Sequence, residues 1–533
     1  MRRTAATLTP PRRRTGAASG VFLLALTLTA TLAAWASPAM AASGSVRVLG
    51  SAPETWDAAL QGDQGTATTL AQVNETLTAI DAAGVLQPAL ASSWQVAADG
   101  LSVVFHLRPN LAFSDGSPLT ADDVARSWKR LLDPAQPSPL ASLLDDVIGA
   151  RAYVSGSGNA ADVGIAATAA DEVTVRFQTG GGAFPLAVAS PSFAVVPRSI
   201  GASYAGPDLP AGFVGSGAYV PVSEDATSIR LQANPHYWAG SPSIGTVELV
   251  TDTQGKAPVQ AFEDGDVDYA PVDDYAASWI RAEAVLGPQL VAVPEPSVLY
   301  YGFDTSRAPF ADARVRRAFA QAVDWKRLIE LGSPFSIPAT SMVPPDIPGR
   351  PEGDYGVAYD PAAARADLAA AGYPDGAGFP AVTLDTGGLP FDAALARQWR
   401  QVLGVTVRVE ALTDGYFDRL GTDPPQVWAL EWVADYPAAQ DFLGLLLTTG
   451  ASNNYGRWSD AGYDREVQAG AASADPAVQA THFGAAQRIV QDQVPVVPLS
   501  YGDSWALVRA GLRGAGASSL GILRLAGLAW GGS

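Results

Sequence analysis

Alternation and helical spacing both occur along this chain, and they alternate with each other. Ser102 to Leu107 follows the Asp99-Gly100 turn and reads as a short strand, and Asp115-Gly116 makes the next turn. Thr120-Ala121-Asp122-Asp123 then opens a helix, with Thr120 as its cap and two aspartates at its positive end. Val315, Ala318, Ala322 and Ile329 place an apolar stripe on one helix running from Arg314 to Ile329. Asp360-Pro361 starts another helix, which Gly372 stops, and Asp475-Pro476 opens one more that ends before Pro495. Gly/Pro/Ser-rich passages near 154–160, 179–182, 205–217 and 333–353 read as crossings or surface loops. The alternation predicts an α/β class with more than one lobe. Pattern alone does not say which segments share a lobe.

The first 41 residues stand apart. Arg2, Arg3 and Arg12 to Arg14 form a positive region, Val21 to Trp35 is apolar, and Pro38-Ala39-Met40-Ala41 offers a cleavage site with small residues. We expect 1–41 to be a secretory signal peptide, because the apolar run is short for a membrane span. The mature protein is then expected on the periplasmic or extracellular side, and soluble, since no cysteine exists to carry a lipid.

Of the 533 residues, 34 are Lys or Arg and 53 Asp or Glu, a formal net charge of −19. That balance, with no basic cluster, argues against nucleic acid and against a polybasic membrane surface. The histidines His106, His236 and His482 are far apart in sequence and form no ligand spacing, so no metal or cofactor is expected. Gly502-Asp503-Ser504-Trp505 imitates a serine-hydrolase turn without a partner histidine nearby. Gly514-Ala515-Gly516 with Ser519 is a near miss for a dinucleotide loop. The pairs Asp145-Asp146 and Asp273-Asp274 read as turns or helix starts. No catalytic set emerges, and the ligand stays unnamed at this level.

Several stretches, in order, resemble extracellular solute-binding protein family 5, the peptide/nickel class of ABC transporter receptors. They are Pro88 to Trp94, Phe105 to Arg108, Phe113 to Val124 with Ser127-Trp128, Gly215 to Tyr219, and Asn234 to Trp238. Pro309 to Arg316 with Ala322-Val323-Asp324, Asp360 to Tyr373 and Pro495 to Tyr501 continue the series. The resemblance implies a two-lobed fold of the periplasmic-binding-protein type II kind, with an extra domain on the first lobe and ligand enclosed by hinge closure. By this likeness 42–70, 205–290 and 485–533 form the first lobe, 71–204 the extra domain and 291–484 the second lobe. Trp94, Trp128 and Trp238 read as packing residues, and Arg314 and Arg316 as partners of nearby carboxylates.

Glu431-Trp432-Val433-Ala434-Asp435-Tyr436-Pro437 resembles the W-x-x-D-Y loop of the oligopeptide-binding members, whose aspartate grips the ligand's ammonium group. The likeness implies that Asp435 binds a peptide amino terminus, with Trp432 and Tyr436 as apolar walls and Ala434 offering main-chain groups. Gln64, Ser297 and Tyr416 fall where the family lines its cleft. Gln426 to Glu431 lacks the basic residues that some members place there for the ligand's carboxylate, and Glu431 stands in place of a small residue. The expected function is a monomeric, non-enzymatic receptor that hands short peptides to an ABC permease. Members of the family also take nickel chelates, opines, oligosaccharides or haem; an exported hydrolase and a holdase-like role are the readings outside it.

Overall fold

The computed structural model describes residues 44–531 except 82–83, 295, 333–335, 346, 413–414, 474 and 517–520. The expected leader and Ser519 lie outside the described residues. Among the described residues no helix is long and apolar enough to cross a membrane.

Three sheets organise the chain. The first has seven strands in the order Leu290–Pro294, Asp503–Val508, Tyr269–Val272, Ser45–Leu49, Thr246–Val250, Ser228–Ala233 and Tyr219–Glu224. Ser45–Leu49 runs parallel to both of its neighbours. Successive residues serve opposite faces: Tyr269 and Ala506 enter one apolar cluster, Ala270 and Leu507 the other. The second sheet has six strands, ordered Ile337–Pro338, Val496–Tyr501, Ser297–Phe303, Val427–Val433, Val382–Thr386 and Val407–Ala411. Both of its faces are covered as well, by clusters built on Tyr301 and Phe303 on one side and Val298 and Tyr300 on the other. That explains why Ser297–Phe303 is a nearly continuous apolar run rather than an alternating one.

The third sheet, Ala91–Val96, Ser102–Leu107, Glu172–Arg176 and Ile165–Ala169, is antiparallel throughout. Val103, Phe105 and Leu107 point into its core while His106 is exposed, so this strand does alternate. Trp128 is fully buried there, its indole N–H donating to the Phe193 carbonyl at 2.8 Å.

The chain passes between the first two sheets twice. Leu290–Pro294 leads to Ser297–Phe303, and Val496–Tyr501 leads through Gly502 to Asp503–Val508. Pro294 pairs with Asp503 on one side, and Leu299 with Ser500 on the other, so the crossings run side by side. Sheet membership does not follow the expected lobe edges residue for residue. Leu290–Pro294 belongs to the first sheet, beyond the edge expected at 291, and Val496–Tyr501 belongs to the second, beyond the edge expected at 485. The hydrolase-like Gly502-Asp503-Ser504-Trp505 is this crossing.

Two further expectations change. The single helix from Arg314 to Ile329 is two, Ala313–Gln321 and Trp325–Gly332. Asp324 restarts the chain between them, its carboxylate accepting from the Arg327 amide and its own amide bound to Gln398. Arg314 pairs with Asp312, but Arg316 is buried and donates to the carbonyls of Phe310, Gln493 and Val494. Its charge serves the C-terminal end of helix Pro476–Gln493, where carbonyls lack helical partners.

Candidate functional site

The W-x-x-D-Y stretch leaves strand Val427–Val433 at the crossing and enters helix Ala439–Leu447. The Ala434 amide donates to the Pro296 carbonyl at 2.9 Å, which ties the loop to the first crossing. Asp435 is half-buried, and burial pushes its carboxyl up to about 7. Among the described residues no Lys, Arg or His makes an ion pair with it. Asp441, fully buried in the first turn of the helix, is its electrostatic neighbour, raised by burial and then by the Asp435 charge. The Trp432 indole N–H donates to Asp441 Oδ2 at 2.7 Å, while Asp441 Oδ1 has no hydrogen-bond partner among the described residues. Two carboxylates thus sit close together at low dielectric, and repulsion with desolvation favours keeping a proton on the pair. An ammonium group is the natural complement to such a pair.

The other expected site residues fall in three places. Tyr436 is buried among extra-domain side chains, in the core that also holds Phe177 and Phe184, so it joins the second lobe to the extra domain. Trp432 is partly buried against the second-lobe core and oriented by Asp441. Ser297 is completely buried opposite Val433, and its hydroxyl donates to Glu431 Oε1 at 3.0 Å. A Cβ on Gly502 would lie 2.7 Å from the Ser297 hydroxyl and 3.3 Å from that Glu431 oxygen. Glu431 therefore stands at the place where the two crossings meet. Tyr416 opens helix Tyr416–Thr422, and its hydroxyl lies against the carbonyls of Asp385 and Ala429. Gln64 is exposed at the start of helix Gln64–Val73, which Asp63 caps by accepting from the Thr66 amide.

Trp432, Ala434, Asp435, Tyr436 and Ser297 come together around the crossing, whereas Gln64 and Tyr416 sit in the first and second lobes respectively. Asp441 escaped the sequence reading. Its signal was there: a lone acid within the apolar run Ala438 to Leu447. The histidines are scattered. His106 lies 3.7 Å from Glu172, His482 lies 2.9 Å from Glu466, and His236 packs beside Gly116.

The chain is similar to the probable deoxycholate-binding periplasmic protein YgiS of Escherichia coli (strain K12), at 27% identity over 80% of this chain and 82% of that protein. It is 28% identical to the periplasmic murein peptide-binding protein MppA of the same organism, over 81% and 82% of the two chains. The solved structure of the Escherichia coli murein tripeptide-binding protein MppA superposes with a TM-score of 0.77 at 24% identity, covering 92% of this chain and 99% of that one. This agreement establishes the two-lobed α/β fold. The model of the bacterial extracellular solute-binding proteins, family 5, matches residues 85–454. The chain belongs to that family.

Proposed function

We propose that this protein is a receptor that captures short peptides outside the cytoplasm and delivers them to an ABC permease, with Asp435 gripping the peptide's amino terminus. The observation that carries the reading is the carboxylate pair of half-buried Asp435 and fully buried Asp441, which lacks a cationic partner among the described residues. A unit charge at 4 Å and an effective dielectric of 20 attracts by about 4 kcal/mol before desolvation. Main-chain groups of the adjoining strand end add affinity without reading side chains. A similarity to the murein peptide-binding protein supports the peptide class. The role is one of binding rather than catalysis, and the receptor acts as a monomer.

The test combines native mass spectrometry with calorimetry on residues 42–533. Wild-type protein should carry a ladder of masses that fragment as short peptides. Asp435→Ala should lose about 2–5 kcal/mol of binding to such a peptide, much of it the cost of leaving an ammonium buried and unpaired. Unchanged affinity would remove Asp435 from the site. A single bound mass that is not a peptide would move the function to another ligand class.

A further inference from the structure

A cavity of about 280 Å³ opens in the first lobe beside the second crossing. Leu49, Leu249, Tyr269, Trp505 and Leu523 supply apolar wall, and Thr68 stands on its helical side. Among the described residues none that lines it carries a charge. Several of its polar side chains are committed to main chain. Gln72 donates to the Leu523 carbonyl and accepts from the Leu525 amide, Thr68 donates to the Gln64 carbonyl, and Thr69 to that of Ser51. The cavity thus presents chiefly hydrocarbon to whatever fills it.

Size and chemistry restrict the occupant. An apolar cavity of about 150 Å³ already admits benzene, so this one has room for a large side chain. A charged group would lose its water and meet no charged side chain among the described lining residues, whereas an apolar group gains by leaving water. Position narrows it further. Ser504 and Trp505, in the wall, follow Gly502 after one residue, Asp503, and Gly502 packs on Ser297 in the strand beside the Asp435 loop. The cavity and the carboxylate pair therefore adjoin the same pair of crossings from opposite lobes.

We propose that this cavity is a specificity pocket that receives one uncharged apolar side chain of the captured peptide, from leucine to tryptophan in size. The proposal rests on the peptide reading of the Asp435 loop and deepens it. The pocket selects among peptides that the carboxylate pair and main-chain contacts would hold alike.

Calorimetry on the ligand-freed mature protein tests it, using tri- and tetra-alanine and the same peptides with phenylalanine or aspartate at each position in turn. At one position phenylalanine should bind at least tenfold tighter than alanine, about 1.4 kcal/mol, and aspartate at least tenfold weaker. Thr68→Phe fills the cavity from its own wall and should bring the phenylalanine-to-alanine ratio at that position to within twofold. Thr68→Leu, a smaller intrusion, should reduce the ratio partially, and a melting curve checks that each variant is folded. A flat phenylalanine-to-alanine ratio at every position, or a preference that survives both variants, overturns the pocket while Asp435-dependent binding of polyalanine leaves the peptide reading standing. Failure of every peptide to bind overturns both together.

Discussion

Asp435 and Asp441 hold free energy that a bound cation can release. In the ligand-free protein the Asp435 carboxyl titrates well above its ordinary 3.8, so the folded state binds that proton more tightly than the unfolded state does. Its contribution to stability is complete below about pH 4 and is lost as pH rises through about 7. Ligand binding has the opposite sign, because an ammonium needs the ionised carboxylate. Peptide affinity should climb with pH from 5 to about 7 and turn over between about 7 and 8, where the peptide's own ammonium begins to lose its proton, and protons should be released on binding below about 7. Titration calorimetry in buffers of different ionisation enthalpy measures both. Among the described residues, the titratable groups that feel the Asp435 charge are Asp441 and Tyr436, and the Trp432 indole donates to Asp441. Asp441→Asn removes the like charge and should shift the rise in affinity to lower pH. A pH-independent affinity would mean that Asp435 does not meet the ligand's amine.

Elements are where sequence and structure agree most closely, and the agreement has a steric origin. Gly215-Ser216-Gly217 is a close approach of two backbones: a Cβ on Gly215 would sit 2.1 Å from the Val73 carbonyl oxygen, and one on Gly217 2.5 Å from the Val73 carbonyl carbon. Asn234 locks the same place by donating to the Gly217 carbonyl at 2.8 Å. Tyr237 donates to buried Glu75 at 2.6 Å, Arg524 reaches that carboxylate from the C-terminal segment, and Arg108 stacks 4.2 Å over Trp238. These landmarks weld three distant stretches of chain, so Gly217→Ala should destabilise by about 2 kcal/mol or more through forced backbone displacement, read as a lower midpoint in urea. Capping was equally legible. Asp360 and Asp475 accept from the first amides of helices Pro361–Ala370 and Pro476–Gln493, and Asp273 does the same for Asp274–Ile280. The break at Asp324 was not, because Ala322 and Ile329 keep helical phase across it and only the Gln398 contact, 74 residues away, marks the interruption. Asp441 was missed for a similar reason. A carboxylate in the first turn of a helix ordinarily answers the helix dipole, and only its burial beside Asp435 distinguishes it.

At the scale of the whole molecule, the extra domain touches the second lobe as well as the first. The Gly182 amide donates to the Ala471 carbonyl at 3.1 Å, and a Cβ on Gly182 would come within 2.7 Å of the Ala471 and Ser473 carbonyl oxygens. Gly100 and Gly180 meet the backbone of the same helix end, and Tyr436 packs into the extra domain nearby. Gly182→Ala should oppose this approach without touching either core. The contact is already made in this structure, so the added methyl should lower the unfolding midpoint in urea, at a cost of about 1–3 kcal/mol.

The cavity draws its walls from the first sheet and the segments packed on it, whereas the carboxylate pair follows a strand of the second sheet. If the proposed pocket and the proposed Asp435 contact both hold, a peptide would seat its apolar side chain while the lobes are still apart and meet Asp435 only when they come together. Encounter and retention would then be separate kinetic stages. Narrowing the cavity would act on how many encounters survive long enough to be enclosed, and removing Asp435 on how long an enclosed peptide stays. Under brief exposure to a mixture, such a receptor would sort peptides by their side chains before committing to any of them.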